Sequence, residues 1–188
     1  MLSLDEGDFK VSYAITAMPV RFAVERRRWE EAATLEPVSG SPPQVAAIAV
    51  WAHALGRVRG AQPAGVGTEI AALEKYERQL HTAGDDYWAA AVRVLRNEII
   101  AWNDQAHGNS QRALAQMRMA AEEEDSLEKL PVTPGPIIPA REQLGDLLLA
   151  QRQPSAAAAA FQAALAAAPG RRGATQGLAR ATRLLNQR

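Results

Sequence analysis

The sequence predicts an all-α fold of antiparallel helix pairs, and three observations lead there. Prolines at helix entrances and glycines just past helix ends punctuate the chain. No stretch sustains the period-2 alternation of β-branched residues that a half-buried strand needs, and no Asn-Gly or Asp-Gly pair joins two apolar runs. The strongest single signal is PSAAAAAFQAALAAAP (154–169), where ten of sixteen residues are alanine, the best helix former. Its first proline can open a helix and its last cannot continue one.

Taken in order, the punctuation marks out the elements. Pro19 to Arg26 and Trp29 to Leu35 form a short pair ahead of the linker EPVSGSPP. The segment 42–60 opens on prolines, carries an apolar stripe through Val45, Ile48, Trp51 and Leu55, and stops at Gly60. After a glycine-rich turn, 68–84 repeats the pattern with Thr68 at the N-cap position. The segment 85–108 is the longest helix expected and is again closed by glycine, and 109–125 follows, opened by Asn109 and Ser110. Four prolines and one glycine make 126–140 a loop, yet Leu130, Val132, Ile137 and Ile138 hold it against the core. Helices at 140–152, 155–168 and 171–186 close the chain.

Composition narrows the function classes. Lys+Arg and Asp+Glu number 21 each, so no global charge draws the chain to nucleic acid or anionic lipid. One local asymmetry exists: from Pro139 onward there is a surplus of five positive charges, which helix ends and solvated faces account for. The chain has no cysteine, hence no disulfide, thiolate metal site or cysteine nucleophile. No uncharged apolar run approaches the length of a membrane span. MLSLDEGDFK lacks the basic and apolar regions of a secretory signal, which gives a cytoplasmic default, with a periplasmic location open if the chain is a fragment.

Helix pairs with short turns prompt a search for an internal period. In PAREQLGDLLLAQRQPSAAAAAFQAALAAAP (139–169), large residues stand at Leu144 and Leu148, small ones at Gly145, Ala157 and Ala164, an aromatic at Phe161 and a proline at Pro169. This stretch resembles the tetratricopeptide repeat, with Leu148 standing where tyrosine is usual and Arg141 where tryptophan is. A second register fits Ile100, Ala101, Ala113, Met117 and Ala120, while Asp104 and Asp125 depart from it. A third supplies Leu55 and Gly56, and RRRWEEAATL resembles the second helix of another repeat, with Ala32 at its small position. Leu178 and Ala179 restart the pattern in the last helix, which then serves as a solvating cap. The chain as a whole, including PVRFAVERRRWEEAATL and VTPGPIIPAREQLGDLLL, is similar to the C-terminal part of larger bacterial tetratricopeptide-repeat proteins.

That resemblance implies one α-solenoid over 1–188, with degenerate repeats about 13–40, 43–84 and 85–125, a best-matching repeat 138–171 and a cap 172–188. It casts the chain either as the end of a longer array or as a short natural protein. It also gives the alanines a use, since small residues let helix axes approach to about 8–10 Å.

Chemistry-bearing motifs are sparse. His53, His81 and His107 fall in separate helices without ligand spacing, and the run Glu122 to Asp125 points its carboxylates in different directions. There is no GxSxG, phosphate loop or dinucleotide fingerprint, and TPGP reads as a loop-shaping turn. Trp29, Trp51, Trp88 and Trp102 stand at the helical spacing of core residues. The resemblance implies a concave face lined by His53, Arg57, Glu98, Trp102, Glu142 and Asp146, with Trp102 an exposed aromatic among charges. The expectation is a non-enzymatic scaffold without cofactor or metal, binding a peptide or protein partner on that face. The alternative is a homodimerising module that packs the alanine-rich face of 155–168, or its N-terminal repeat edge, against another copy.

Overall fold

A computed structural model describes residues 4–60, 65–128 and 134–187, with side chains from Phe9 onward. Among these residues the chain is helical, without strands, in the order α1 (Leu4–Glu25), α2 (Trp29–Ala32), α3 (Pro43–Arg59), α4 (Gly67–Thr82), α5 (Asp86–Ala106), α6 (Ser110–Ser126), α7 (Ala140–Ala150), α8 (Pro154–Ala167) and α9 (Arg172–Leu185). Each helix packs against the next, and α1, α3, α5, α7 and α9 also touch one another in sequence, so the odd-numbered helices share one face. The expected Leu130, Val132 and Arg188 and the turn over 61–64 lie outside the described residues. None of the described helices is long and apolar enough to cross a membrane.

The turns follow from backbone rules. At the end of α4, Gly84 adopts φ 78° and the Asp85 N–H reaches back to the Leu80 carbonyl at 2.9 Å, the hydrogen-bond pattern that a left-handed residue permits. Arg27 makes the same turn after α1 with φ 57°, and the Arg28 N–H bonds the Ala23 carbonyl at 2.9 Å. A side chain in that conformation costs about 1 kcal/mol, and Arg152 adopts it as well after α7, where the Gln153 N–H bonds the Leu148 carbonyl at 2.9 Å.

Close helix approach is achieved as the alanine and glycine pattern anticipates. Ala157 and Ala164 of α8 are buried, and Phe161 is inserted between α7 and α9. A Cβ on Gly145 would lie 2.6 Å from the Phe161 ring, and one on Gly177 would overlap it too, so two glycines make the ring's slot. Nearer the N-terminus, Gly56 lets the α2 backbone rest on α3, since a Cβ there would lie 2.5 Å from the Trp29 carbonyl oxygen.

Several expectations need correction. The short helix Pro19 to Arg26 is the last part of the 22-residue α1, which exceeds the 21-residue α5, and Trp29–Ala32 is a single turn. Pro19 interrupts only its bond to the Ile15 carbonyl, on an exposed side where water can substitute. Thr68 is not an N-cap: α4 begins at Gly67 after Val66 and has no side-chain cap. Asn109 does stand at the N-cap of α6, but its amide bonds Asp104 Oδ1 at 3.2 Å instead of capping the helix. Of the loop residues, Ile137 is buried and Ile138 half-buried, as their apolar character requires.

Candidate functional site

The shared face of the odd-numbered helices contains a buried polar chain. Trp51 Nε1 on α3 donates to Glu98 Oε2 on α5 at 2.7 Å, and Trp102 Nε1, one turn further along α5, donates to Gln143 Oε1 on α7 at 2.9 Å. Glu98 is fully buried, and burial, reinforced by the Glu124 charge, pushes its carboxyl well above the usual carboxylate range. The bond from Trp51 and the nearby Gln143 amide oppose that rise, though Glu98 Oε1 and Gln143 Nε2 do not complete a hydrogen bond of good geometry.

Arginines gather at the far end of this chain. The Arg59 guanidinium, at the end of α3, lies 3.8 Å from the centre of the Trp102 ring and 4.7 Å from that of Trp29. It is held between two aromatic faces, an arrangement a planar delocalised cation favours. Burial pulls its pKa down to about 10, against the opposing pull of Asp146, so it remains charged at neutral pH.

Asp146 on α7 is the shared counter-ion. Its Oδ2 is 2.7 Å from Arg27 Nη2 and 3.9 Å from Arg59 Nη1, while its Oδ1 accepts from Arg180 Nη2 at 2.7 Å. Three guanidiniums therefore meet one carboxylate, one of them presented by the left-handed turn after α1. One helical turn away, Glu142 Oε2 accepts from Arg171 Nε at 2.8 Å, and Arg171 reaches the Ile137 carbonyl at 3.3 Å. Arg21 donates to the same carbonyl at 3.4 Å, so α1 and α9 together fix the segment leading into α7.

A cavity of about 260 Å³ opens among these groups, lined by Arg27, Trp29, Arg59, Glu142, Asp146, Arg171 and Arg172. Arg172 is exposed and makes no ion pair with a described residue. A separate apolar cavity of about 90 Å³ lies nearer the start of the odd helices, between Tyr13, Ile48, Trp88, Leu95 and Ile137. Among the described residues no three His, Asp or Glu side chains come together as metal ligands.

The six residues expected on a concave face divide into three groups. Glu142 and Asp146 line the arginine cavity. Trp102 is not exposed: only 5% of it is accessible, because Arg59 covers its face and Gln143 takes its N–H, and Glu98 is buried behind it. His53 and Arg57 form another cluster, where Arg57 pairs with Glu69 and His53 Nδ1 lies 3.1 Å from the Leu35 carbonyl. Sequence reasoning missed Arg27, Arg59, Gln143 and Arg180. The basic run Arg26 to Arg28 and the C-terminal charge surplus were the available signals, and the fold brings members of both onto α7.

No protein-family model matches this sequence, and no curated protein or solved structure matches it either.

Proposed function

We propose that the chain is a non-enzymatic, tetratricopeptide-like scaffold that holds a segment of a protein partner at the arginine and tryptophan cleft. Support for the repeat arrangement comes from the order of packing, helix on successive helix with α3, α5, α7 and α9 in lateral contact, and from the burial of Ala157, Phe161 and Ala164 where the repeat pattern needs close contact.

The observation that carries the binding reading is the imbalance of charge in the cavity. Of the lining groups, Arg27 and Arg59 share Asp146, Arg171 takes Glu142 and Glu25, and Arg172 at the rim has no partner among the described residues, while Arg180 reaches Asp146 from outside the lining. Guanidiniums beside aromatic faces are the groups that dominate protein interfaces, and their surplus here favours a segment carrying Asp or Glu.

A displayed library of random peptides tests this. Wild-type protein is expected to enrich peptides rich in Asp and Glu, with retention that weakens as salt rises, and Arg172→Glu is expected to lose them while keeping its helical content. No enrichment, or equal retention by the variant, overturns the proposal.

A further inference from the structure

Arg59 stands apart from the other arginines of the cleft. Its side chain is only 15% exposed, yet among the described residues it makes no hydrogen bond. Its one ion-pair contact, to Asp146 Oδ2, is 3.9 Å long, beyond hydrogen-bond reach. That carboxylate is also spent elsewhere: both Asp146 oxygens accept from Arg27 Nη2, at 2.9 and 2.7 Å, and Oδ1 accepts from Arg180 Nη2 as well. Glu142, the other carboxylate that α7 gives to the cavity, is taken by Arg171. A guanidinium carries five N–H donors, so Arg59 holds its whole fork unspent at the wall of the cavity. A buried charged donor without an acceptor is costly, and a ligand that brings one removes that cost.

Stacking fixes how those donors are reached. The guanidinium carbon lies 3.8 Å from the centre of the Trp102 ring and 4.7 Å from that of Trp29, so the rings cover its faces and leave its edge. The plane is held before any ligand arrives, and little ordering is left for binding to supply. A fork presented by its edge matches a carboxylate, itself planar with two oxygens at the fork's spacing.

We propose that Arg59 is the specificity-determining anchor of the cleft and takes one ligand carboxylate edge-on, through two parallel N–H···O bonds. The inference rests on the reading of the cleft as a binding site and adds the chemical group recognised there. Two sources carry that group, an Asp or Glu side chain within the partner segment and the carboxylate at its C-terminal end. Exposed Arg172 attracts negative charge of any shape, whereas Arg59 reads the shape. The cavity of about 260 Å³ is below the roughly 300 Å³ at which sites for drug-sized molecules begin, which suits one side chain or one chain end.

Nuclear magnetic resonance of the intact chain tests this with four probes at millimolar concentration. They are acetyl-Gly-Gly-Glu-Gly-Gly-amide, its Gln analogue, acetyl-pentaglycine with a free C-terminus, and inorganic phosphate. The Arg59 guanidinium N–H signals, assigned by their absence from Arg59→Lys, are expected to shift with a carboxylate peptide and to stay in place with the Gln peptide. Whichever carboxylate peptide moves them names the source. Arg59→Lys keeps the charge and loses the fork, and is expected to bind that peptide about tenfold more weakly, as for one lost charge-assisted hydrogen bond. Arg59 signals unmoved by both carboxylate peptides overturn the proposal, a result read on wild type that does not depend on how the variant folds. Equal binding by Arg59→Lys, or a response to phosphate as strong as that to carboxylate, overturns it too. Failure of the anchor and failure of the cleft are told apart by the displayed library. Acidic peptides that bind wild type without moving the Arg59 signals remove the anchor and leave the cleft, whereas no enrichment of acidic peptides removes the cleft.

Discussion

The guanidinium of Arg59 stacks on the ring of Trp102, 3.8 Å from its centre, and so closes over the tryptophan that the sequence left as an exposed aromatic. Asp146 is the only carboxylate in ion-pair contact with Arg59 among the described residues, and it serves Arg27 and Arg180 as well. Breaking a buried pair costs about 3–5 kcal/mol, and because Arg27 and Arg180 are partly solvated, Asp146→Ala is expected near the lower end, ~3 kcal/mol. Adding Arg59→Leu should recover much of the loss. Urea midpoints for the three proteins check this, and an unchanged midpoint for Asp146→Ala would show that the cluster is solvated.

Glu98 predicts a pH dependence. An unfolded carboxyl ionises near about 4.3, while the folded one holds its proton to higher pH because it is buried and faces the Glu124 charge. Through that window the unfolded chain binds fewer protons than the folded chain, so the Glu98 contribution makes stability fall as pH rises. Glu98→Gln keeps an acceptor for Trp51 Nε1 and cannot ionise. Its melting temperature is expected to exceed that of wild type by a margin that widens from pH 5 to pH 8. Parallel curves for the two proteins would refute a raised Glu98.

The slot for Phe161 predicts overpacking. Gly145→Leu drives a side chain into the ring, and Ala157→Leu enlarges a buried contact on the same helix pair. Each is expected to destabilise by about 1–3 kcal/mol, read as a lower denaturation midpoint. Midpoints equal to wild type would mean that α7, α8 and α9 are not as closely packed as the glycines allow.

Gly56→Ala tests the seat of α2. Its methyl group would meet backbone at Ala33 and Trp29, which cannot rotate aside as a side chain can, so α2 must lift from α3 and carry Trp29 off Arg59. The expected outcome is a loss of about 1–3 kcal/mol and faster tryptic cleavage after Arg26, Arg27 or Arg28. Unchanged cleavage would show that α2 keeps its seat on α3 despite the added methyl group.

The sequence by itself determined the all-helical class and most helix limits, because proline entry, glycine exit and 3.6-residue periodicity act within one or two turns. Gly145, Ala157, Phe161 and Ala164 were legible in the same way, as a pattern of large and small residues on adjacent helices. What a local pattern cannot hold is the meeting of distant ends. Arg27, Arg59, Trp102, Asp146 and Arg180 belong to five separate parts of the chain, and the stacking of one helix pair on the next sets their distances. Only the tertiary structure therefore decided that Trp102 is covered, that Glu98 loses its solvent and that three arginines converge on one carboxylate. The continuation of α1 through Pro19 was decided there too, since the apolar contacts of Val20, Ala23 and Val24 outweigh one lost backbone hydrogen bond.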